Sequence, residues 1–204
     1  MENFDTMAKD FDTDRRAKRA EVISDEIRSH IIDGHTKTAL EYGCGTGLVG
    51  CRLINDFNSI LFVDSSPEMI DQVKQKLLHL KRPAETAICG DFITEPPQNL
   101  SVDYVFSSLA LHHIKDTKTI LSRLYSVLRS GGHLLIVDIN TDDGSFHAQY
   151  PDFDGHNGFD QSFLIDLAVK TRFREADAKT FYNGSKTFNG KDSAYSLFIL
   201  DAMK

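Results

Sequence analysis

The sequence predicts an α/β protein in which a doubly wound, mostly parallel sheet of seven strands ends in an antiparallel hairpin. Two patterns carry this. Between Thr38 and Ile139, five short apolar runs alternate with helix or turn signals, as expected for parallel strands covered on both faces. After Thr171 the runs Lys179 to Tyr182 and Ala194 to Leu200 follow one another with no helix between them, so they should pair antiparallel. A length of 204 residues suits one domain with a substantial core, expected to span residues 1–204.

The first thirty-six residues read as a cap segment. Phe4 and Phe11 lie in an Asp-rich lead, and Ala20, Ile23, Ile27 and Ile31 then form the stripe of an amphipathic helix that Asp12, Thr13 or Asp14 would cap. Gly34 is expected to end that helix. The basic run Arg15-Arg16-Lys18-Arg19 reads as a solvated face, because charges at that density usually are.

The sheet should begin with Thr38 to Tyr42, which runs into Gly43-Cys44-Gly45-Thr46-Gly47 and a helix over Leu48 to Ile54. Ser59 to Asp64 is the second strand. Ser66-Pro67-Glu68-Met69 supplies an N-cap, a proline in the first turn and an acidic group for the next helix, whose stripe is Ile70, Val73, Leu77 and Leu80. Thr86 to Cys89 is a short third strand ending at Gly90-Asp91, and Val102 to Ser107 is the fourth. Asp116 opens a helix with Ile120, Leu121, Leu124, Val127 and Leu128 inside and Gly131-Gly132 at its end. His133 to Ile139 is the fifth strand, and a further helix is expected from about Asp160 to Thr171. The final pair of strands is joined by the turn-rich stretch from Asn183-Gly184-Ser185 to Gly190-Lys191.

An apolar fraction of 41% and a charged fraction of 26% belong to a soluble globular chain. The net charge of −7 disfavours nucleic-acid binding, which rests on phosphate neutralisation. No apolar run approaches the roughly 18 residues of a membrane span, and the acidic start Met1-Glu2-Asn3 does not resemble a signal peptide. Cys44, Cys51 and Cys89 have no metal-type spacing and read as reduced thiols, which points to a cytoplasmic protein.

The loop after the first strand carries the functional signal. Glycines at 43, 45 and 47 can take positive φ and let a ligand approach the backbone, while the helix that follows presents free N–H groups. Gly45, Gly47 and Gly50 also spell a dinucleotide-binding motif, which keeps an NAD(P)-dependent oxidoreductase as an alternative. Glu41, two residues before the first glycine, is a poor neighbour for a pyrophosphate and a better one for an ammonium or sulfonium. On Glu41 and the three glycines the chain resembles the class I S-adenosylmethionine-dependent methyltransferases, most strongly from Thr38 to Asp138. That family has a Rossmann-like sheet whose last two strands form a hairpin at one edge.

The resemblance implies roles for the residues at the carboxyl ends of the strands, where ligands collect in open α/β sheets. Gly43 and Gly45 would hold the amino acid part of S-adenosylmethionine, with Glu41 and Tyr42 beside them. Asp64, followed by Ser65, would bind the ribose hydroxyls; Asp91 would take the adenine amino group, with Phe92 and Met69 against the ring. The backbone of Ser107 would touch the methionine part. Each aspartate has a plainer role open to it, as cap of the next helix.

After the fourth strand the chain reads Ser107-Ser108-Leu109-Ala110-Leu111-His112-His113-Ile114, without the Asn or Asp, two prolines and aromatic of base-amine methyltransferases. This run looks like the small-molecule branch, including quinone-biosynthesis-like enzymes. His112 is the candidate general base, since histidine suits proton transfer near neutral pH. Residues 140–159, with Phe146, His147, Tyr150, Phe153, His156 and Phe159 among Asp and Gly, are the expected substrate lid. His147, Asp152, Asp154 and His156 lack a metal-binding motif, so no metal is expected. The expected activity is methyl transfer to a small molecule; a noncatalytic S-adenosylmethionine-binding module is the other alternative.

Overall fold

The computed structural model describes residues 4–83, 86–95, 98–150 and 152–204; the Met1-Glu2-Asn3 lead lies outside them. Seven strands form one sheet: β1 (Thr38–Tyr42), β2 (Ser59–Asp64), β3 (Ala87–Cys89), β4 (Val102–Ser108), β5 (Leu128–Ile139), β6 (Arg174–Phe188) and β7 (Lys191–Met203). Their spatial order is β3-β2-β1-β4-β5-β7-β6. The first five are parallel, whereas β7 runs antiparallel to both β5 and β6. The order reverses between β1 and β4, so the crevice at their carboxyl ends is the natural ligand site.

The helices are α1 (Phe4–Met7), α2 (Asp14–Ser29), α3 (Gly50–Leu53), α4 (Pro67–His79), α5 (Thr117–Val127) and α6 (Gln161–Lys170). Local chemistry sets their starts: Thr13 accepts from Arg16 N, Ser66 from Met69 N, Asp116 from Thr119 N and Asp160 from Phe163 N. One face of the sheet is covered by Ile23 and Ile27 of α2, Leu53 of α3 and Ile70, Val73 and Leu77 of α4, packed on Ala39, Phe62 and Phe106. The other is covered by Ile120, Leu121 and Leu124 of α5 and Leu164 and Ala168 of α6, packed on Leu40, Val63 and Val105. Each large apolar side chain so buried contributes about 1.5 to 3 kcal/mol, which makes the strands continuous apolar runs.

Four local expectations are corrected. The helix α2 ends at Ser29, and the left-handed residue after it is Asp33, at φ 52°. Gly34 instead opens a short 3-10 turn against Asp56, whose carbonyl oxygen would lie 2.3 Å from any added Cβ. The helix after the glycine loop is a single turn, Gly50–Leu53. Leu128 leaves α5 and pairs with Val102 at the start of β5, because it is buried there; Gly132 then lets that strand pass Asp103 O, 2.7 Å from an added Cβ. Finally, Asn183, Gly184 and Ser185 are paired strand residues, opposite Ser196, Tyr195 and Ala194. The turn is Asn189-Gly190 alone, both at positive φ, the two-residue connection that suits strand twist.

The αL position after α6 falls on Arg172, at φ 81°. An arginine there carries the steric strain that glycine avoids.

Candidate functional site

A cavity of about 730 Å³ opens at the carboxyl ends of β1 and β4. At one end the glycine loop is pinned over β2, since Gly43 N and Cys44 N both donate to Val63 O, at 2.8 and 3.0 Å. Gly43, Gly45 and Gly47 all have positive φ, and a Cβ at Gly43 would lie 2.4 Å from that of Ala110. Asp64 holds the loop from below: its Oδ2 accepts from Gly45 N at 2.7 Å and its Oδ1 from Ser66 N at 2.9 Å. Each oxygen keeps lone-pair capacity for a ligand hydroxyl. Burial raises the Asp64 pKa, against the pull of those amides. Asp91 accepts from Tyr42 Oη at 3.3 Å and from Ile93 N at 2.9 Å.

Of the residues expected around a cofactor, Tyr42, Gly43, Gly45, Asp64, Ser65, Met69 and Asp91 line this end of the cavity. Three do not. Glu41 is 1% exposed and shares the sheet face of Ala39, so its carboxylate points under the loop and accepts from Gly50 N at 3.2 Å. Burial pushes its pKa up to about 8. Phe92 packs its ring against that of Tyr42, centroids 5.0 Å apart, behind the wall. Ser107 is buried, and the residue that lines the cavity is Ser108. Strand alternation accounts for both Glu41 and Ser107. Leu109, which follows, sits at φ 53°, a strained non-glycine conformation at the cavity wall.

The N-terminal segment closes over the loop. Phe11 lines the cavity 3.9 Å from where a Cβ at Gly45 would be. Asp12 accepts from Thr46 Oγ1 at 2.5 Å and pairs with Lys76 at 2.6 Å, and Asp5 accepts from Ser66 Oγ at 2.5 Å.

The other end of the cavity is aromatic and basic. His112 is 2% exposed; its Nδ1 lies 2.6 Å from Oδ1 of the fully buried Asp138, whose Oδ2 accepts from His112 N at 3.1 Å. With Nδ1 donating to the carboxylate, Nε2 is the nitrogen left for chemistry. His113 and His147 stand beside it, ring centroids 4.1 and 5.0 Å away, and His147 stacks on Phe153 at 3.7 Å. Desolvation first, and the neighbouring imidazole second, hold His113 down at about 2 and His147 at about 3, so both are neutral near pH 7. His147 Nδ1 is buried with no hydrogen-bond partner among the described residues. One ring nitrogen from each of the three histidines falls within 4.8 Å of the others, the closest approach to a metal-binding group among the described residues. The quartet weighed from sequence does not converge: Asp154 pairs with Lys115, and His156 bonds Ile114 O at 3.1 Å.

Sequence reasoning missed the basic wall. Arg15, Arg16 and Arg19 of α2 line the cavity together with Lys186 of β6, Phe146 and Tyr150. The signal was available: Arg16, Arg19, Ala20, Ile23 and Ile27 fall on one helical stripe, so the two arginines face the same way as the apolar residues. Among the described residues no helix is long and apolar enough to cross a membrane.

A family model described as a methyltransferase domain matches residues 40–134, from the first strand through the start of the fifth. That stretch matches a methyltransferase domain. An uncharacterised methyltransferase of Schizosaccharomyces pombe is 28% identical over 153 residues, which cover 68% of this chain and 54% of that one. The domain spans about half the length of the first curated relatives it matches. Among solved structures, a possible histamine N-methyltransferase from Thermotoga maritima has a TM-score of 0.71 at 14% identity, with 98% of each chain covered. Phosphoethanolamine N-methyltransferase 2 of Haemonchus contortus, in complex with phosphomonomethylethanolamine and S-adenosylhomocysteine, has a TM-score of 0.70 at 19% identity and covers 90% of this chain and 52% of its own. These likenesses show that the methyltransferase domain has the class I fold, with the sheet order and terminal hairpin described above.

Proposed function

We propose that the domain transfers a methyl group from S-adenosylmethionine to a small molecule. The observation that carries this is the continuity of one cavity, from the glycine loop, Asp64 and Asp91 at one end to His112 at the other. Its volume of about 730 Å³ is that of a small-molecule site. The donor end fits the cofactor: a Cβ at Gly45 would meet only the edge of the Phe11 ring, at 3.9 Å, Asp64 and Asp91 offer acceptors for ribose hydroxyls and an adenine amino group, and Met69 gives an apolar contact. Bound there, S-adenosylmethionine supplies an electrophilic methyl group.

The chain's own residues do the rest. The walls hold the acceptor near the methyl group, and positioning of that kind is worth about 7 to 11 kcal/mol. His112 Nε2 takes the proton that the acceptor atom loses, while Asp138 fixes the tautomer and stabilises the imidazolium that forms. Residues 1–36 act as a cap on the donor end, and residues 140–159, which contribute Phe146, His147, Tyr150 and Phe153 to the wall, act as the acceptor-side lid.

Calorimetric titration with S-adenosylmethionine, S-adenosylhomocysteine and NAD tests the donor; the first two are expected to bind. Binding of NAD alone would overturn the proposal. Release of S-adenosylhomocysteine during incubation with a metabolite panel tests transfer, and binding without release on any acceptor would leave a binding module.

A further inference from the structure

The acceptor end of the cavity is charged in a way that methyl transfer alone does not require. Four carboxylates line the cavity, and each is engaged: Asp64 and Asp91 by amides of the donor end, Asp116 by Thr119 N, and Asp154 by Lys115. Arg15, Arg16 and Arg19, by contrast, have no carboxylate partner among the described residues. Arg19 is half-buried and its pKa is lowered first by burial; its hydrogen bond with the Tyr195 hydroxyl opposes that shift, and the charges of Arg15 and Arg16 add to it. Lys186 adds a fourth cation on the facing strand, with Nζ donating to Phe146 O at 2.6 Å and lying 4.9 Å from the Phe146 ring centroid. In a chain with a net charge of −7, such a concentration of positive charge is a local construction.

A second, smaller cavity of about 370 Å³ shares this wall. It lies between α2 and the hairpin, with Arg15, Lys18 and Arg19 on one side and Tyr182, Ser185 and Tyr195 on the other. No acidic side chain among the described residues lines it. Arg15 and Arg19 therefore stand between two spaces, each with phenol and hydroxyl donors or aromatic faces beside the guanidiniums. That is a setting for a bound anion, since guanidinium groups match phosphate and carboxylate oxygens in pairs. The same positive field opposes a divalent cation at the histidine cluster, which lies beside Lys186.

The three arginines divide by position. Arg16 lies over Phe11, with its guanidinium carbon 4.1 Å from the ring centroid, and Phe11 covers Gly45; this arginine belongs to the donor end. Arg19 faces Phe146, 5.9 Å from its ring centroid, and belongs with Lys186.

We infer that the methyl acceptor is an anion, a phosphomonoester or a carboxylate, whose charged group is held by Arg15 and Arg19 with Lys186 opposite. This rests on the proposed methyl transfer and adds the chemical class of its acceptor. The neutral histidines and aromatic rings between that group and the donor end leave the nucleophilic atom in a less polar space, where it meets the methyl group.

The test uses the full chain saturated with S-adenosylhomocysteine and titrated with two probes, inorganic phosphate and succinate. Saturable binding of at least one is expected, weakened at least tenfold in Arg15→Gln and Arg19→Gln, with affinity for S-adenosylhomocysteine within twofold of the parent. Arg19→Lys, which keeps the charge, should retain the fold and most of the affinity if Arg19→Gln unfolds. Preference for phosphate over succinate would assign a phosphomonoester, and the reverse a carboxylate. Equal probe binding by parent and variants overturns the inference, as does absence of saturable binding by both probes. So does a loss of S-adenosylhomocysteine affinity in Arg19→Gln that matches the loss of probe, because the arginine would then hold the cofactor's carboxylate. If the parent binds no S-adenosylhomocysteine, methyl transfer itself fails, and the probes are titrated into the ligand-free chain under the same criteria.

Discussion

Replacing Glu41 with glutamine should make the protein's stability less dependent on pH, and the size of the effect follows from burial. Glu41 is 1% exposed, accepts one hydrogen bond from Gly50 N, and titrates at about 8 against an ordinary 4.5. A carboxyl whose folded pKa is raised contributes stability that is complete below the unfolded value and is lost as pH rises through the folded one. Over that window the loss approaches about 1.4 kcal/mol per pH unit. His113 and His147 work in the opposite sense below about 6.5, because both stay neutral in the fold while the unfolded chain takes up protons. Above 6.5 their slope vanishes. Between pH 6.5 and 8 the parent should therefore lose on the order of 1 to 2 kcal/mol more than Glu41→Gln, in which the amide oxygen still accepts from Gly50 N. Urea unfolding of both proteins at several pH values, followed by circular dichroism, measures this difference and cancels contributions common to both, such as that of His133. Parallel stability curves would show that Glu41 is ionised in the fold, and would refute the account of a neutral acid beneath the loop.

At the donor end, Asp64→Ala should weaken S-adenosylmethionine binding by about 1.5 to 3 kcal/mol, the scale of hydrogen bonds to a charged group; unchanged calorimetric affinity with the fold intact would remove Asp64 from the site. His112→Ala should slow single-turnover methyl transfer about 10²- to 10⁴-fold with cofactor affinity nearly unchanged, and full turnover would leave positioning as the whole of catalysis. Arg172→Gly should raise stability by about 0.5 to 1 kcal/mol, since glycine relieves the left-handed strain at φ 81°; no gain in a denaturation midpoint would contradict it. Cleavage between Asp5 and Asp14 by a nonspecific protease should slow when S-adenosylhomocysteine is added, because Phe11 and the contacts of Asp5 and Asp12 close on the loaded loop. Equal rates would mean that the cap does not respond to ligand.

Most of the sheet could be read before its structure because parallel strands are buried on both faces. Thr38 to Tyr42 and Ser59 to Asp64 have the same limits in sequence and structure, and the residues proposed for the donor end were chosen because strand ends mark ligand sites. The errors have local causes. Asn183-Gly184-Ser185 has turn composition, yet Gly184 is a strand residue because the rings of Tyr182 and Tyr195 occupy the space of a side chain there. The stronger signal, Asn189-Gly190, was close by. Glu41 was read from its charge, although alternation along β1 already placed it with Ala39. The pairing of His112 with Asp138 spans 26 residues and depends on the register of β4 against β5, which no local pattern encodes. The arginines of α2 were read from density alone, when their helical phase gave their direction.

The distribution of the cavity walls along the chain has an evolutionary consequence. The proposed donor end is made by the exits of β1 and β2 and the turn after β3, whose positions are fixed by the most buried part of the sheet. The basic wall comes from α2, residues 140–159 and the hairpin edge, which are distant in sequence from those turns and are joined to the cavity mainly through side chains. Substitutions at Arg15, Arg19, Tyr150 or Lys186 can therefore accumulate without disturbing the glycine loop. Such a scaffold lets a lineage exchange one acceptor for another while its donor chemistry is inherited intact, and relatives of this chain are expected to diverge fastest along that wall.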